Sequence, residues 1–451
     1  MSNTNTSLEK RTIRKVTMRI IPFTFLLYII SYLDRANIGY ASLEMNKDLA
    51  LTSQAFGFVS GIFFIGYFLF EVPSNVMMKR YGARVWIARI LVTWGIISTL
   101  TGFVQSATHL YILRFLLGVA EAGFFPGIIL YLTFWFRSKE QATTIALFTS
   151  AIPVSYIIGA PLSTWIMDNI AWIGLQGWRW MLILEGIPAF ILGIVTFFYL
   201  TESPEKAKWL SIEEKEWLIR ELKKDKESKK DVQHLSTLKA MANPKVLFLS
   251  FIYFVYQTGS LGVGYWMPQI IKNFSGILTN TQIGLIAMIP YIGATIGMII
   301  WSRRSDRKEE RRLHSAIPLL IASIGLIGAG ITHNPYLAII SITVSLTGMY
   351  SFKAPFWALP SLFLTQSTAA VAIAAINSIG NLGGFVGPYA IGALTGLTGS
   401  TKAGLLFLSV LLFISFFMVL FMRIENRRNR RNRRNKAQDH DIKSELETIH
   451  K

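Results

Sequence analysis

Runs of some 20 apolar residues recur along this chain from one end to the other, each long enough to cross a hydrocarbon layer about 30 Å thick. Twelve can be read, at 18–40, 54–78, 85–105, 109–135, 140–166, 178–200, 245–270, 281–301, 313–332, 336–360, 367–395 and 402–423. Composition agrees. Hydrophobic residues make up 52% of the 451, and charged residues only 16%, against about 25% in soluble domains. Mean hydropathy is +0.43. The sequence therefore predicts an all-α membrane protein with twelve transmembrane helices. The first run follows a basic N-terminus and ends in charges rather than in small cleavage-site residues, so it is expected to stay as a span. Cysteine is absent, which excludes disulfides, thiol catalysis and thiolate metal sites. No His/Asp/Glu set has metal-ligand or nucleophile–base spacing, and neither a cofactor nor an enzyme activity is expected.

The net charge of +19 invites a nucleic-acid reading, but its distribution argues otherwise. With both termini cytoplasmic, most of the 45 Lys and Arg fall in cytoplasmic segments, while the opposite connections hold only Lys47 and Lys272, with Lys402 at one edge. The basic run Arg427 to Arg434 is then a topology signal and a contact for anionic lipids.

The polar insert Thr201 to Asn243 divides the spans into two sixes. The expected organisation is a six-helix bundle at 1–200, a linker at 201–243, a second bundle at 244–424 and a basic tail at 425–451. In the linker, Ser211 with Glu214 three residues on forms a capping box, followed by an apolar stripe of Trp217, Leu218 and Leu222. This is either an interfacial helix or a solvated one with a few apolar positions. The halves also repeat. Arg80 and Arg307 are 227 positions apart, and so are Pro161 of Gly159-Ala160-Pro161 and Pro388 of Val386-Gly387-Pro388. One register for two features points to a duplicated six-helix unit, the architecture of secondary transporters.

Charges at bilayer depth cost about 2.5–3.5 kcal/mol on insertion scales and mark ion or substrate paths. Asp34 and Arg35 stand side by side in span 1. In span 4, Arg114 and Glu121 are seven residues and so about 10.5 Å apart on one helix face, leaving room for a partner helix between them. Asp34 can neutralise Arg114, and Glu121 can hold a proton when unpaired, because a carboxyl in low dielectric can stay protonated near neutral pH. The plainer reading is a buried ionic cluster that locks spans 1 and 4. The six histidines lie at helix ends or in polar segments and do not compete for the proton role. Glu71 is expected in a gate or inter-helix ion pair, and Glu185 with Arg179 as partner. Lys353 either offers a charge to the second half or snorkels to its rim. Asn377 and Asn381, one turn apart in span 11, either bond across helices or bind substrate.

Several motifs together resemble the major facilitator superfamily, and within it the anion:cation symporter group. They are Tyr-Leu-Asp-Arg-Ala-Asn-Ile-Gly at 32–39, Gly-Tyr-Phe-Leu-Phe-Glu-Val-Pro-Ser-Asn at 66–75, Glu-Ala-Gly-Phe-Phe-Pro-Gly at 121–127, Trp-Ala-Leu-Pro at 357–360 and Ile-Asn-Ser-Ile-Gly-Asn-Leu-Gly-Gly-Phe-Val-Gly-Pro at 376–388. Lys79 departs from the pattern, standing where an acidic residue is usual between spans 2 and 3, while Asp306 keeps one in the second copy. The resemblance implies two six-helix pseudo-repeats and proton-coupled import of a small organic anion, with efflux or a membrane sensor as alternatives. It implies that Arg35 binds the substrate carboxylate, that Glu121 couples proton to substrate, and that Asp34 and Arg114 form a proton-sensitive pair. Tyr67, Trp357 and Asn377 would line the pocket, and Asn381, one turn beyond Asn377, is a further candidate for substrate binding. The branch it resembles handles tartrate, phthalate, hydroxyphenylacetate and nicotinate-type acids. Protons, a small acid and membrane lipids are the expected partners, with the protein a monomer in the cell membrane.

Overall fold

The computed structural model describes residues 2–227, 243–274, 276–360 and 366–422; the basic tail lies outside them. The described residues are helical and hold no strand. The first half runs α1 (Ser2–Asp48), α2 (Ser53–Tyr81), α3 (Ala83–Thr101), α4 (Ala107–Glu121), α5 (Phe124–Thr133), α6 (Ser138–Thr149), α7 (Ala151–Asn169) and α8 (Gly177–Tyr199). After the linker helix α9 (Ile212–Glu227) come α10 (Pro244–Phe274), α11 (Asn280–Lys308), α12 (Arg312–Ile331) and α13 (Pro335–Ala358). The chain closes with α14 (Gln366–Asn381), α15 (Gly383–Thr398) and α16 (Thr401–Leu420). Among the described residues, eleven stretches are long and apolar enough to cross a membrane. The remaining expected span, 367–395, is divided at Leu382 into the 16-residue α14 and α15, where Gly383 and Gly384 follow. The same interruption splits span 4 at Gly123, whose φ is +85°, and span 5 at Ser150. Apolar side chains such as Ile96, Leu100, Ile296, Ile300 and Ile414 are exposed on the outside, as a lipid-facing surface demands.

The duplication is visible in three dimensions. In the first half α1 packs on α6 and α7, α2 on α4, and α3 on α8. In the second, α10 packs on α14 and α15, α11 on α13, and α12 on α16, the same pairs six spans later. The 227-residue register holds at single residues. Thr52 and Thr279 cap α2 and α11 with φ −69° and ψ 161° at both. Gly82 and Glu309 end those helices with positive φ. Gly57 meets the Pro388 carbonyl of α15, and its counterpart Gly284 meets Ala160 of α7. A Cβ at either glycine would sit 2.6 or 2.5 Å from those carbonyl oxygens, so the halves can approach this closely only over glycine.

Both chain halves thus share one axis, with a terminal end, where α1 starts and α9 lies, and a far end at Asp48. At the far end, polar contacts join the halves: Thr281 Oγ1 donates to Asp168 Oδ2 at 2.6 Å, Asn280 Nδ2 to Glu44 at 2.7 Å, Gln269 Nε2 to the Ser42 carbonyl at 2.8 Å and Lys272 to the Leu43 carbonyl at 2.7 Å. At the terminal end α9 lies on the first half. Ser211 and Glu214 exchange the expected capping bonds, and Glu214 also pairs with Arg11 and Lys15 of α1. Trp217 and Leu218 are buried, so the apolar stripe is covered by protein rather than lipid or water. Glu202, arriving after α8, accepts from the Ala83 and Arg84 N–H groups at 2.6 and 3.1 Å. A carboxylate from another part of the chain thereby occupies the N-terminus of α3, close to where Lys79 breaks the expected acidic pattern.

Candidate functional site

Asp34 and Arg35 lie on α1 about 20 Å from the far end, and Glu121, the last residue of α4, lies at the same depth. A carboxylate at a helix C-terminus opposes the macrodipole and needs a cation. Arg35 supplies it: Nη2 stands 2.7 Å and Nε 2.8 Å from Glu121 Oε1, with Ser31 Oγ donating to the same oxygen at 2.6 Å. Glu121 Oε2 is buried without a hydrogen-bond partner. The Arg35 guanidinium also sits over three rings, Tyr32 and Tyr67 at 5.2 Å and Phe63 at 5.3 Å. Tyr67 therefore lies beside the Arg35–Glu121 pair.

Two expected pairings are corrected. Asp34 does not neutralise Arg114. Its Oδ2 accepts from Trp94 Nε1 at 2.6 Å, and its Oδ1 from Ser98 Oγ at 2.9 Å and Asn37 Nδ2 at 3.3 Å. Trp94 and Ser98, one turn apart on the buried face of α3, satisfy the carboxylate with neutral donors. Arg114, also buried, forms no ion pair with a described residue. Its guanidinium carbon lies 5.3 Å from the centre of the Phe63 ring, near Tyr265, with Nε and Nη2 unpartnered. Glu185 likewise does not pair with Arg179, which turns to Asp48 at 2.8 Å and to the Gly102 and Val104 carbonyls. Ser163 of α7 bonds Glu185 instead.

The second half contributes on the terminal side of this set. Asn377 Nδ2 and Ser378 Oγ of α14 donate to Glu71 of α2 at 3.5 and 2.7 Å, so the buried Glu71 joins the halves by hydrogen bonds. It makes no ion pair with a described residue. Asn381 Oδ1 accepts from Gln257 of α10 at 3.1 Å. Trp357 packs on Tyr253 at 4.8 Å, and Tyr253 in turn neighbours Tyr32 of the first half. Lys353 points to the Tyr350 ring, 6.0 Å away. Tyr156 of α7 stacks on Tyr291 of α11 at 4.3 Å and 9°, another contact between halves. Sequence reasoning missed Trp94, Ser98, Phe63, Tyr253 and Tyr265. Trp94 and Ser98 carried a readable signal, an indole and a hydroxyl four residues apart in one span. The others are ordinary membrane aromatics by sequence.

A buried ion pair beside a broken helix, in one of two facing six-helix repeats joined by polar contacts at the far end, is the architecture of a secondary transporter. The profile of the Major Facilitator Superfamily matches residues 24–388, and the chain belongs to that family. It is a multi-pass membrane transporter and not an enzyme. An Agrobacterium vitis protein named "Putative tartrate transporter" is 48% identical over 366 residues, covering 81% of this chain and 84% of that one. "Putative metabolite transport protein NicT" of Pseudomonas putida is 41% identical, covering 79% and 82%. A "Quinolone resistance transporter" of Acinetobacter baumannii is 39% identical, covering 80% and 83%. Among solved structures, an inward-facing, occupied bacterial homologue of the human lysosomal transporter Spinster superposes with TM-score 0.74 at 14% identity, covering 89% of this chain and 95% of that one. The partially occluded inward-open form of the Escherichia coli xylose transporter XylE gives 0.73 at 14% identity, with 91% and 98% covered. These likenesses carry the fold.

Proposed function

We propose that this protein is a proton-coupled symporter that imports a small organic carboxylate across the cell membrane by alternating access, with both termini cytoplasmic. The observation that carries the reading is the buried Arg35–Glu121 pair at 2.7 Å, beside an Arg114 with two open nitrogen donors. While Glu121 is ionised it occupies Arg35. A proton on Glu121 removes the competing charge and frees the guanidinium for the substrate's carboxylate. A proton and an anion then cross together, which keeps the moving site close to neutral and lowers its cost in lipid. Arg114 meets a second carboxylate or hydroxyl group. Tyr67, Trp357, Asn377 and Asn381 close round the rest of the substrate, and Asp34 senses the exchange through its neighbours on α1. The name of the 48% identical relative makes tartrate the first candidate, and two guanidiniums suit a dicarboxylate.

The test is uptake of labelled tartrate, phthalate and nicotinate into proteoliposomes, acid outside. Glu121→Gln should abolish accumulation driven by the proton gradient while retaining exchange at equal pH. Full gradient-driven uptake by that variant would falsify the coupling role. The 39% identical quinolone resistance relative favours a second reading, efflux, which the same vesicles decide by the direction of gradient-driven flux.

A further inference from the structure

One buried carboxyl group takes no part in the exchange just described. Glu185 lies on α8, about 12 Å from the far end and so on the far-end side of Asp34, and is 5% exposed. Its Oε1 accepts from Ser163 Oγ at 2.6 Å, and its Oε2 is buried with no hydrogen-bond partner. The groups around it are Asn37, Asp34 and Tyr40 of α1, Ser163 of α7, and Ser98 and Thr99 of α3, which pack at the adjoining Gly186. Arg179, on its own helix, is held by Asp48. Among the described residues no cation reaches Glu185 from any of these helices.

Asn37 stands between the two acids. It donates to Asp34 Oδ1 at 3.3 Å and neighbours Glu185. Two carboxylates beside one amide, with no cation, cannot both stay ionised at low cost. The donors are divided unequally. Asp34 receives three, with both oxygens served, whereas Glu185 has one close donor, Ser163, with the Asn37 amide beside it and Oε2 left open. An ionised group needs the larger share, and a neutral acid tolerates the smaller one.

Resting on the proton-coupled reading, we propose that Glu185 is a third proton-carrying group, which holds a proton beside ionised Asp34 and exchanges it with that carboxylate. In the exchange the proton leaves Glu185, which becomes the carboxylate, and neutralises Asp34; Asn37 follows the charge with its amide. Glu185 thus lies on a proton route from the far end to the Arg35–Glu121 pair.

Infrared spectroscopy of the purified full-length protein at neutral pH tests the assignment without knowing the substrate. The parent should show the carbonyl stretch of a buried protonated carboxylic acid that is missing from Glu185→Gln and shifted in Glu185→Asp. Matching spectra in that region, or loss of a carboxylate band instead, would overturn it. In proteoliposomes, Glu185→Gln should flatten the dependence of log tartrate uptake on outside pH by about one proton, with equal-pH counterflow unchanged and Glu185→Asp restoring the slope. An unchanged slope, including uniform loss at every pH, marks a merely structural group and counts against the inference. If parent uptake ignores the gradient, the coupling reading fails, and the infrared band still decides the state of Glu185.

Discussion

Two guanidiniums lie near the Phe63 ring, and Arg35 has a carboxylate while Arg114 has none. A hydrogen bond to a charged group contributes about 1.5–3 kcal/mol, so the open Nε and Nη2 of Arg114 are worth most to an anion that reaches both. Arg114→Lys keeps the charge and loses the planar fork. It should raise the apparent KM for tartrate by about tenfold or more and that for nicotinate, with its single carboxylate, by less. Equal changes for both acids would show that Arg114 acts on the fold rather than on the second carboxylate. The residue types of this site were readable from the sequence, since every ionisable group in it interrupts an apolar run. Their partners were not. Asp34 met Trp94 and Ser98 rather than Arg114 because spacing along a helix gives depth and face, but not which neighbour that face is turned toward.

At the scale of elements, α9 is the piece whose attachment can be switched. Trp217 and Leu218 are buried against the first half, and Arg137 lies 4.9 Å over the Trp217 ring while pairing with Glu9, Glu140 and Glu221. The bond from Lys224, then the charges of Lys224 and Arg137, hold the Glu221 carboxyl below its ordinary value. At Glu214 burial works against the charge, but the Ser211 N–H, Lys15 and Arg11 outweigh it and hold that carboxyl low as well. Groups depressed in the folded state add stability above their unfolded pKa of about 4.3 and lose it as pH falls through the folded value. Cleavage within α9 should therefore accelerate below about pH 4.3, read with an acid-active protease such as pepsin against an unstructured peptide standard, and tryptic cleavage should stay flat between neutral and mildly acidic pH. Trp217→Ala, removing a buried ring whose loss costs about 3 kcal/mol in a core, should bring the same acceleration at neutral pH without loss of total helicity by circular dichroism. Resistance of both would mean that α9 is held by its chain connections alone. The sequence showed the capping box and the stripe. It left open whether lipid, water or protein covers the stripe, because all three suit the same amphipathic pattern.

Across the whole molecule, four polar contacts tie the halves at the far end, and the Glu71 bonds tie them on the terminal side of the site. Transport by alternating access requires those ties to break. The chain has no cysteine, so a single introduced pair reports without background. Asp168→Cys with Thr281→Cys replaces the 2.6 Å contact between α7 and α11. Bridging the two thiols by oxidation or a short bifunctional reagent should arrest tartrate uptake, and reductant should restore the oxidised sample. Uptake that continues through a complete cross-link would mean that the far end does not open.

Read alone, the sequence was enough for the class of fold, the 227-residue register and the ionisable residues that a membrane helix would not carry without cause. Those properties depend on local composition and on spacing along one helix. The packing of the helices was needed to learn that Arg35 holds Glu121, that Glu71 bonds the opposite half and that, among the described residues, Arg114 has no carboxylate and Glu185 no cation. Each of those outcomes depends on how helices rotate and approach one another, and glycines such as Gly57 and Gly284 set that approach through contacts distant in the chain. Arg35 and Glu121 are 86 residues apart and meet at one depth; no local pattern encodes that meeting.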